Sequence, residues 1–196
     1  MNCNSHVKKN CVPVILFMIG LFSTSCLAQR PDNPKLTKLP FSIYLAMENT
    51  PVLFNGRPLL IDNHRPGELE AKGENAYLFI MDLITGQEVA RFGKGHTFVS
   101  GFVNGQELNV FATEFTDFGT KMNLMGITRF TTTDLKNWTQ QRVLSRREGG
   151  DENLFNSSVC ADDQGYLMAY EYNQPGTPNI WSFQFARSKD LAHWEK

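Results

Sequence analysis

Three acidic residues, each at the end of an apolar stretch, are the first candidates for chemistry in this sequence. Asp62, Glu114 and Glu171 follow the segments PLLI, NVFAT and LMAY. Carboxyl groups can donate or accept a proton in catalysis when their surroundings hold the required ionisation state. For any one of them, a solvated strand end that discourages edge pairing is the more common interpretation. Because the three segments align with one another, we take these residues as candidate catalytic groups.

Polar residues with amide or imidazole side chains stand near the starts of the same three segments. They are Asn49, His96 and Asn156, and the alignment predicts that they converge as a substrate-binding ring. Such groups can hydrogen-bond the hydroxyl groups of a ligand or help to hold an ion through water. A lone histidine on a strand is more often structural, and no second histidine or carboxylate lies at ligand spacing. The sequence therefore predicts no metal site and no cofactor.

The elements that must position these residues are short strands. Apolar alternation with β-branched and aromatic residues recurs from Phe41 onward, and no stretch keeps a helical period for three turns. Three segments share a polar start, an apolar strand, a glycine turn and a second strand, at a period of about 50 to 60 residues. The predicted turns are Asn55-Gly56, Asn104-Gly105 and Gln164-Gly165.

A repeated four-stranded unit of this length is typical of a propeller blade, which buries its faces only against neighbouring blades. The sequence predicts an all-β fold of β-propeller blades over 41–196, with blades at about 41–95, 96–150 and 151–196. A β-sandwich with coincidental hairpins is the alternative. With about three blades visible of an expected five, we expect an N-terminal fragment unless the chain closes by oligomerising. An isolated monomer is expected to aggregate through an exposed apolar face.

The N-terminus predicts export. Residues 1–28 have the three parts of a secretory signal: Lys8 and Lys9, a charge-free run from Cys11 to Phe22, and a small-residue cleavage site ending at Ala28. The apolar run is too short for a hydrocarbon core of roughly 30 Å. Cleavage before Cys26 is the alternative and would leave a lipid anchor there. Residues 29–40 carry three prolines and are predicted to be a leader or tether.

Composition excludes several classes of protein. Of the 4 cysteines, only Cys160 would remain as a thiol after export, which excludes a disulfide-stapled fold. The formal net charge is −1 and no run of basic residues occurs, so no nucleic-acid partner is predicted. Contact with a membrane is expected only through a lipid anchor at Cys26, and the oligomeric state is left open.

Two motifs carry a resemblance to a known group of enzymes. Phe185 to Glu195, FARSKDLAHWE, is similar to the S-x-D-L-x-x-W turn that closes blades in five-bladed glycoside hydrolases of families 43 and 32. Asn156 to Gly165, NSSVCADDQG, resembles the D-P-S-V-F-F-D-D-D-G strand of family 43. A sialidase turn, S-x-D-x-G-x-T-W, fits less well because the spacing is one residue short and Ala192 stands in place of its glycine.

The resemblance implies a glycan substrate and catalysis by carboxyl groups. It places the family's catalytic base at Asn49 and the aspartate that tunes the acid at Asn156, and an amide cannot take a proton from water at neutral pH. The acid would lie beyond Lys196. The chain is therefore expected to be an exported carbohydrate-active protein, similar to family 43 enzymes that hydrolyse O-glycosidic bonds. The alternatives are a catalytically inactive glycan-binding propeller and a structural interaction platform.

Overall fold

The computed structural model describes residues 48–64, 75–115, 124–148, 150, 152–173 and 181–196. The chain divides into two compact units, Met1–Ser42 and Ile43–Lys196, and every described residue belongs to the second. The predicted signal peptide and leader lie outside the described residues. Within the described ranges, no helix has the length and apolar character needed to span a bilayer.

The described residues form β-strands and no α-helix. β1 to β4 are Thr50–Phe54, Arg57–His64, Tyr77–Asp82 and Glu88–Phe92. β5 to β8 are His96–Asn104, Glu107–Phe115, Leu124–Thr132 and Thr139–Ser145. β9 to β12 are Asn153–Asp162, Gly165–Asn173, Trp181–Ser188 and Trp194–Glu195.

These strands make three antiparallel sheets of four strands each. Sheet 1 has the order β1-β2-β3-β4, sheet 2 has β5-β6-β7-β8, and sheet 3 has β9-β10-β11-β12. Consecutive strands are always neighbours, so each sheet is a simple meander, as in a propeller blade. The prediction of an all-β fold built from propeller blades is confirmed. A ring of five blades stays a prediction.

Two-residue turns join the first two strands of each sheet. Phe54 pairs with Arg57 across Asn55-Gly56, where both turn residues have positive φ, as a type I′ hairpin requires. The pairs Asn104–Glu107 and Asp162–Gly165 close the other two hairpins. The turns are therefore Gly105-Gln106 and Asp163-Gln164, one residue away from their predicted positions in each case.

Hydrophobic side chains between successive sheets hold the blades together. Leu59, Ile61 and Ile80 of sheet 1 pack with Val110 and other buried residues of sheet 2. A second cluster joins sheet 2 to sheet 3 through residues that include Phe111, Met168 and Tyr170. The first strands of neighbouring sheets also contact each other, β1 with β5 and β5 with β9. β1, β5 and β9 are therefore the adjoining innermost strands.

The repeated turn before the last tryptophan is capped by an aspartate. Asp190 Oδ1 accepts hydrogen bonds from the backbone N–H groups of Ala192 and His193 at 2.9 and 2.8 Å. Asp134 does the same in sheet 2 for Lys136 and Asn137. The hydrogen bond with the His193 ring, together with these two backbone bonds, holds the pKa of Asp190 well below its usual range. Each aspartate thus caps the tight turn that precedes the last strand of its sheet.

One face of β11 exposes an aromatic stripe. Trp181, Phe183 and Phe185 are 46%, 70% and 60% exposed. In sheet 1, the pairing register places Leu78 and Ile80 at the positions of the two phenylalanines, and both are fully buried in the cluster shared with sheet 2. The stripe thus occupies positions that a neighbouring sheet covers elsewhere in the same molecule.

Candidate functional site

β5 and β9 each carry one residue with an unusual backbone, and a third lies just before β1 at the same register position. Counted back from the hairpin turns, Glu48, Phe98 and Asn156 correspond to one another. Their φ angles are 55°, 54° and 47°, values that are costly for residues other than glycine and that occur preferentially at functional sites. We call these three the bulge residues. They lie at the same end of three adjoining strands, so they define the candidate site.

A β-bulge produces this backbone in sheets 2 and 3. The pairing shifts between Thr97 and Ser100 on β5, and between the partners of Ala169 and Glu171 on β9. A bulge inserts one extra residue into a strand and re-aims its side chain. Asn156 is the re-aimed residue of β9, and its Nδ2 donates a hydrogen bond to Oε1 of Glu171 at 3.3 Å. Two of the predicted site residues are thereby brought together.

In sheet 1, the position of Glu171 faces the next innermost strand. Its counterpart in sheet 1 is Asn63, whose Oδ1 accepts bonds from Thr97 Oγ1 at 2.5 Å and from the backbone N–H of Phe98 at 3.3 Å. Its counterpart in sheet 2 is Thr113, which is buried. Where Asn63 ties two blades together, Glu171 places a half-buried carboxylate beside a bulge residue of its own sheet.

The expected correspondence of the three carboxylates is wrong. The pairing registers match Glu171 with Asn63 and Thr113, and match Glu114 with His64. Asp62 lies one residue before Asn63, the counterpart of Glu171 in sheet 1. Glu114 lies one residue after Thr113, the counterpart of Glu171 in sheet 2. Because strand side chains alternate between faces, a shift of one residue turns a side chain to the opposite face. Asp62 and Glu114 therefore do not share the site of Glu171.

Asp62 is a buried carboxyl group rather than a strand end in solvent. It is 4% exposed, and its Oδ1 accepts a hydrogen bond from the backbone N–H of Asn63 at 2.7 Å. Burial raises the pKa of Asp62, against the opposing effect of its hydrogen bonds with Asn63. The interpretation of Asp62 as a solvated group does not describe its surroundings.

His96 is also displaced from the expected ring. It lies two residues before Phe98, so its counterpart in sheet 3 is Leu154 and not Asn156. Its Nδ1 donates to the Lys94 carbonyl at 3.0 Å, and its Nε2 is 3.1 Å from Thr128 Oγ1. Burial lowers the pKa of His96 and favours the neutral ring. The imidazole therefore contacts Thr128 of its own sheet and does not form part of the site at the bulge residues.

Glu114 lies beside His96, because the two residues are paired across β5 and β6. It forms an ion pair with Arg142, a residue that no sequence motif singled out. His96 and Glu114 are thus a second pair of predicted site residues that the fold brings together, at a place separate from Asn156 and Glu171.

Asn49 is half-buried and immediately precedes β1. In sheet 1, the register position that corresponds to Asn156 belongs to Glu48, the neighbour of Asn49. The predicted ring of Asn49, His96 and Asn156 therefore combines residues from three different register positions. Counting back from the Asn55-Gly56 turn is the sequence signal that identifies Glu48. Among the described residues, no group of three or more histidine, cysteine, aspartate or glutamate residues is placed to hold a metal ion.

Comparisons with known proteins bear on the fold. No family model matches the chain, and no curated protein matches it. A solved structure that does match is the Penicillium chrysogenum α-L-arabinanase complexed with arabinobiose, with a TM-score of 0.52 and 15% sequence identity. The match covers 74% of this chain and 47% of that chain. The chain has a β-propeller fold.

Proposed function

We propose that this chain is a carbohydrate-active protein of the glycoside hydrolase type, whose glycan binds at the bulge residues with Asn156 and Glu171 as the central polar pair. The observation that carries the proposal is the 3.3 Å hydrogen bond from Asn156 Nδ2 to Glu171 Oε1 at a strained innermost strand. The similarity in fold to an arabinanase complexed with arabinobiose supports it, as does the motif from Asn156 to Gly165.

The chemistry of the pair suits a sugar. A carboxylate accepts hydrogen bonds from hydroxyl groups, and a primary amide can donate and accept, so together they recognise a neutral polyol. Glycoside hydrolysis also needs a second carboxyl group on the other side of the scissile bond. Glu48 is the carboxyl group at the corresponding bulge position of sheet 1. In this proposal Glu171 and Glu48 are the catalytic carboxyl groups, and Asn156 orients Glu171.

A second candidate function is glycan binding without hydrolysis. It is favoured by Asn156, an amide at the position where the resembling family has a carboxylate. Both candidates predict binding of the glycan, and only the first predicts turnover. Arabino-oligosaccharides are the first ligands to try, since the enzyme with the similar fold holds arabinobiose.

Calorimetric titration of the full mature chain with arabinobiose and larger oligosaccharides tests the proposal. We expect saturable binding that Asn156→Ala weakens about tenfold, the effect of losing one hydrogen bond to the sugar. Gln106→Ala, in the turn between β5 and β6, is the control and should bind normally. The absence of binding across a panel of arabinans, xylans and other plant or host glycans would contradict both candidate functions.

Turnover of aryl glycosides separates the two candidates. A hydrolase should lose activity in Glu171→Gln while its glycan affinity changes far less, because a catalytic carboxyl group acts chiefly in the transition state. If the unmodified chain binds glycans and yet releases no aryl group over the pH range 4 to 9, the non-catalytic function stands.

Export is part of the same proposal. The predicted signal over residues 1–28 and the possible anchor at Cys26 call for N-terminal sequencing of the mature protein and for cell fractionation. A start at Gln29 indicates a soluble exported protein, and an acylated Cys26 indicates a lipid-anchored one. An unprocessed chain in the cytoplasm would contradict export.

A further inference from the structure

A second polar pocket opens on sheet 2, and neither Asn156 nor Glu171 of sheet 3 lines it. Its volume is about 200 Å³, and six polar side chains line it: His96, Glu114, Thr128, Gln140, Gln141 and Arg142. The neighbouring residues on the same face of sheet 2, Ala112 and Phe130, belong to the apolar cluster shared with sheet 1. The pocket is therefore a local polar interruption of an apolar face.

A glycine lets β8 approach closely beside the pocket. His96, Glu114, Gly126 and Ser145 form one row across the four strands of sheet 2. A Cβ at position 126 would lie 2.3 Å from the carbonyl oxygen of Leu144, so only glycine fits there. Because Gly126 contributes no side chain, no side chain of β7 stands between Glu114 and the outer strand β8 in this row.

A bulge on β8 aims an arginine across β7 toward Glu114. Ile127 pairs with Leu144, but the next residue, Thr128, pairs with Arg142, so β8 holds one extra residue. Such a shift re-aims the side chains that follow it. Arg142 consequently reaches across the position of Gly126 and forms its ion pair with Glu114.

The charges inside the pocket cancel. Glu114 and Arg142 neutralise each other, and the imidazole of His96 is held by the Lys94 carbonyl and Thr128 Oγ1. The amides of Gln140 and Gln141 add donors and acceptors without charge. A neutral ligand rich in hydroxyl groups matches this lining, whereas an ion would compete with the existing pair. The volume, below the roughly 300 Å³ of ordinary ligand sites, limits the occupant to about one ring.

We propose that this pocket is a second binding site, for a single neutral sugar ring or a polyol of similar size. It goes beyond the glycan site at Asn156 and Glu171, because it uses a different sheet and none of the same side chains. In a glycan-binding propeller, such a site would hold a separate sugar unit or a released monosaccharide.

Titration of the full mature chain with neutral monosaccharides, followed by calorimetry or NMR line shifts, tests the proposal. The probes are arabinose, xylose, glucose and myo-inositol, with glycine as a zwitterionic comparison. Asn156→Ala serves as the background, because it weakens binding at the other site. In that background, we expect weak saturable binding of at least one sugar or polyol, about tenfold weaker after Gln141→Ala or Glu114→Gln.

Gln106→Ala is the matched control, since it removes the same side chain at the opposite end of the β5–β6 hairpin. It should leave monosaccharide binding unchanged, and circular dichroism should show that all variants are folded. Binding that survives both pocket substitutions, or binding of glycine in preference to every sugar, would overturn the proposal. Arabinobiose binding that Asn156→Ala weakens, without any monosaccharide binding in the Asn156→Ala background, would overturn the second site alone and leave the proposed function intact.

Discussion

Gly101 of sheet 2 lies against Ile61 and Val52 of sheet 1, so replacing it tests the packing of adjacent blades. A Cβ at this position would lie 2.2 Å from Ile61 Cδ1 and 3.2 Å from Val52 Cγ1. Ile61 is fully buried, so its terminal methyl has no free space into which to move. We expect Gly101→Ala to overpack the interface and to lower the free energy of unfolding by about 1–3 kcal/mol.

The overlapping atom can be removed separately. Ile61→Val deletes the Cδ1 methyl and by itself should cost about 0.5–1.5 kcal/mol. In the double variant, the new methyl at position 101 occupies the space that Cδ1 left. The two costs should therefore partly cancel, with a coupling energy of about 1 kcal/mol or more.

Urea unfolding of the four proteins, followed by tryptophan fluorescence and circular dichroism, measures the cycle. Gly56→Ala is the control, because a Cβ there meets no atom within 4 Å and its cost comes only from the positive φ of 74°. It should show no coupling with Ile61→Val. Additive costs for Gly101→Ala and Ile61→Val would refute the close contact between sheets 1 and 2.

Three further predictions follow from burial, loop capping and exposure. Burial raises the pKa of Asp62 in the folded chain, so its ionisation destabilises the fold as pH rises through that pKa. Asp62→Asn should therefore raise the melting temperature at pH 8 and change it little at pH 4. An equal effect at the two pH values would contradict this expectation. Asp190→Ala removes the acceptor of two backbone N–H groups and should lower the melting temperature, whereas a change at the exposed Lys136 should not. Phe183→Ser with Phe185→Ser should reduce concentration-dependent light scattering, while Ile84→Ser, at a residue 78% exposed but outside the stripe, should reduce it much less.

The sequence alone determined the secondary structure class and the approximate positions of the turns. Alternating apolar residues, the Asn55-Gly56 turn and the Asp190 turn act over a few neighbouring residues, so their physical effect can be deduced without knowing the fold. The same local signals placed Asn156 and Glu171 near the ends of neighbouring strands, which made a shared site a reasonable hypothesis.

Only the tertiary structure decided which of the candidates meet. The bulges at Phe98 and Asn156 and the exact turn positions set the strand registers, and a register error of one residue sends a side chain to the opposite face. For that reason, Asp62 is buried and Glu114 pairs with Arg142, while Glu171 lies beside Asn156. The sequence names the residue types that can bind a sugar, but the hydrogen-bonded register between strands determines which of them share a site.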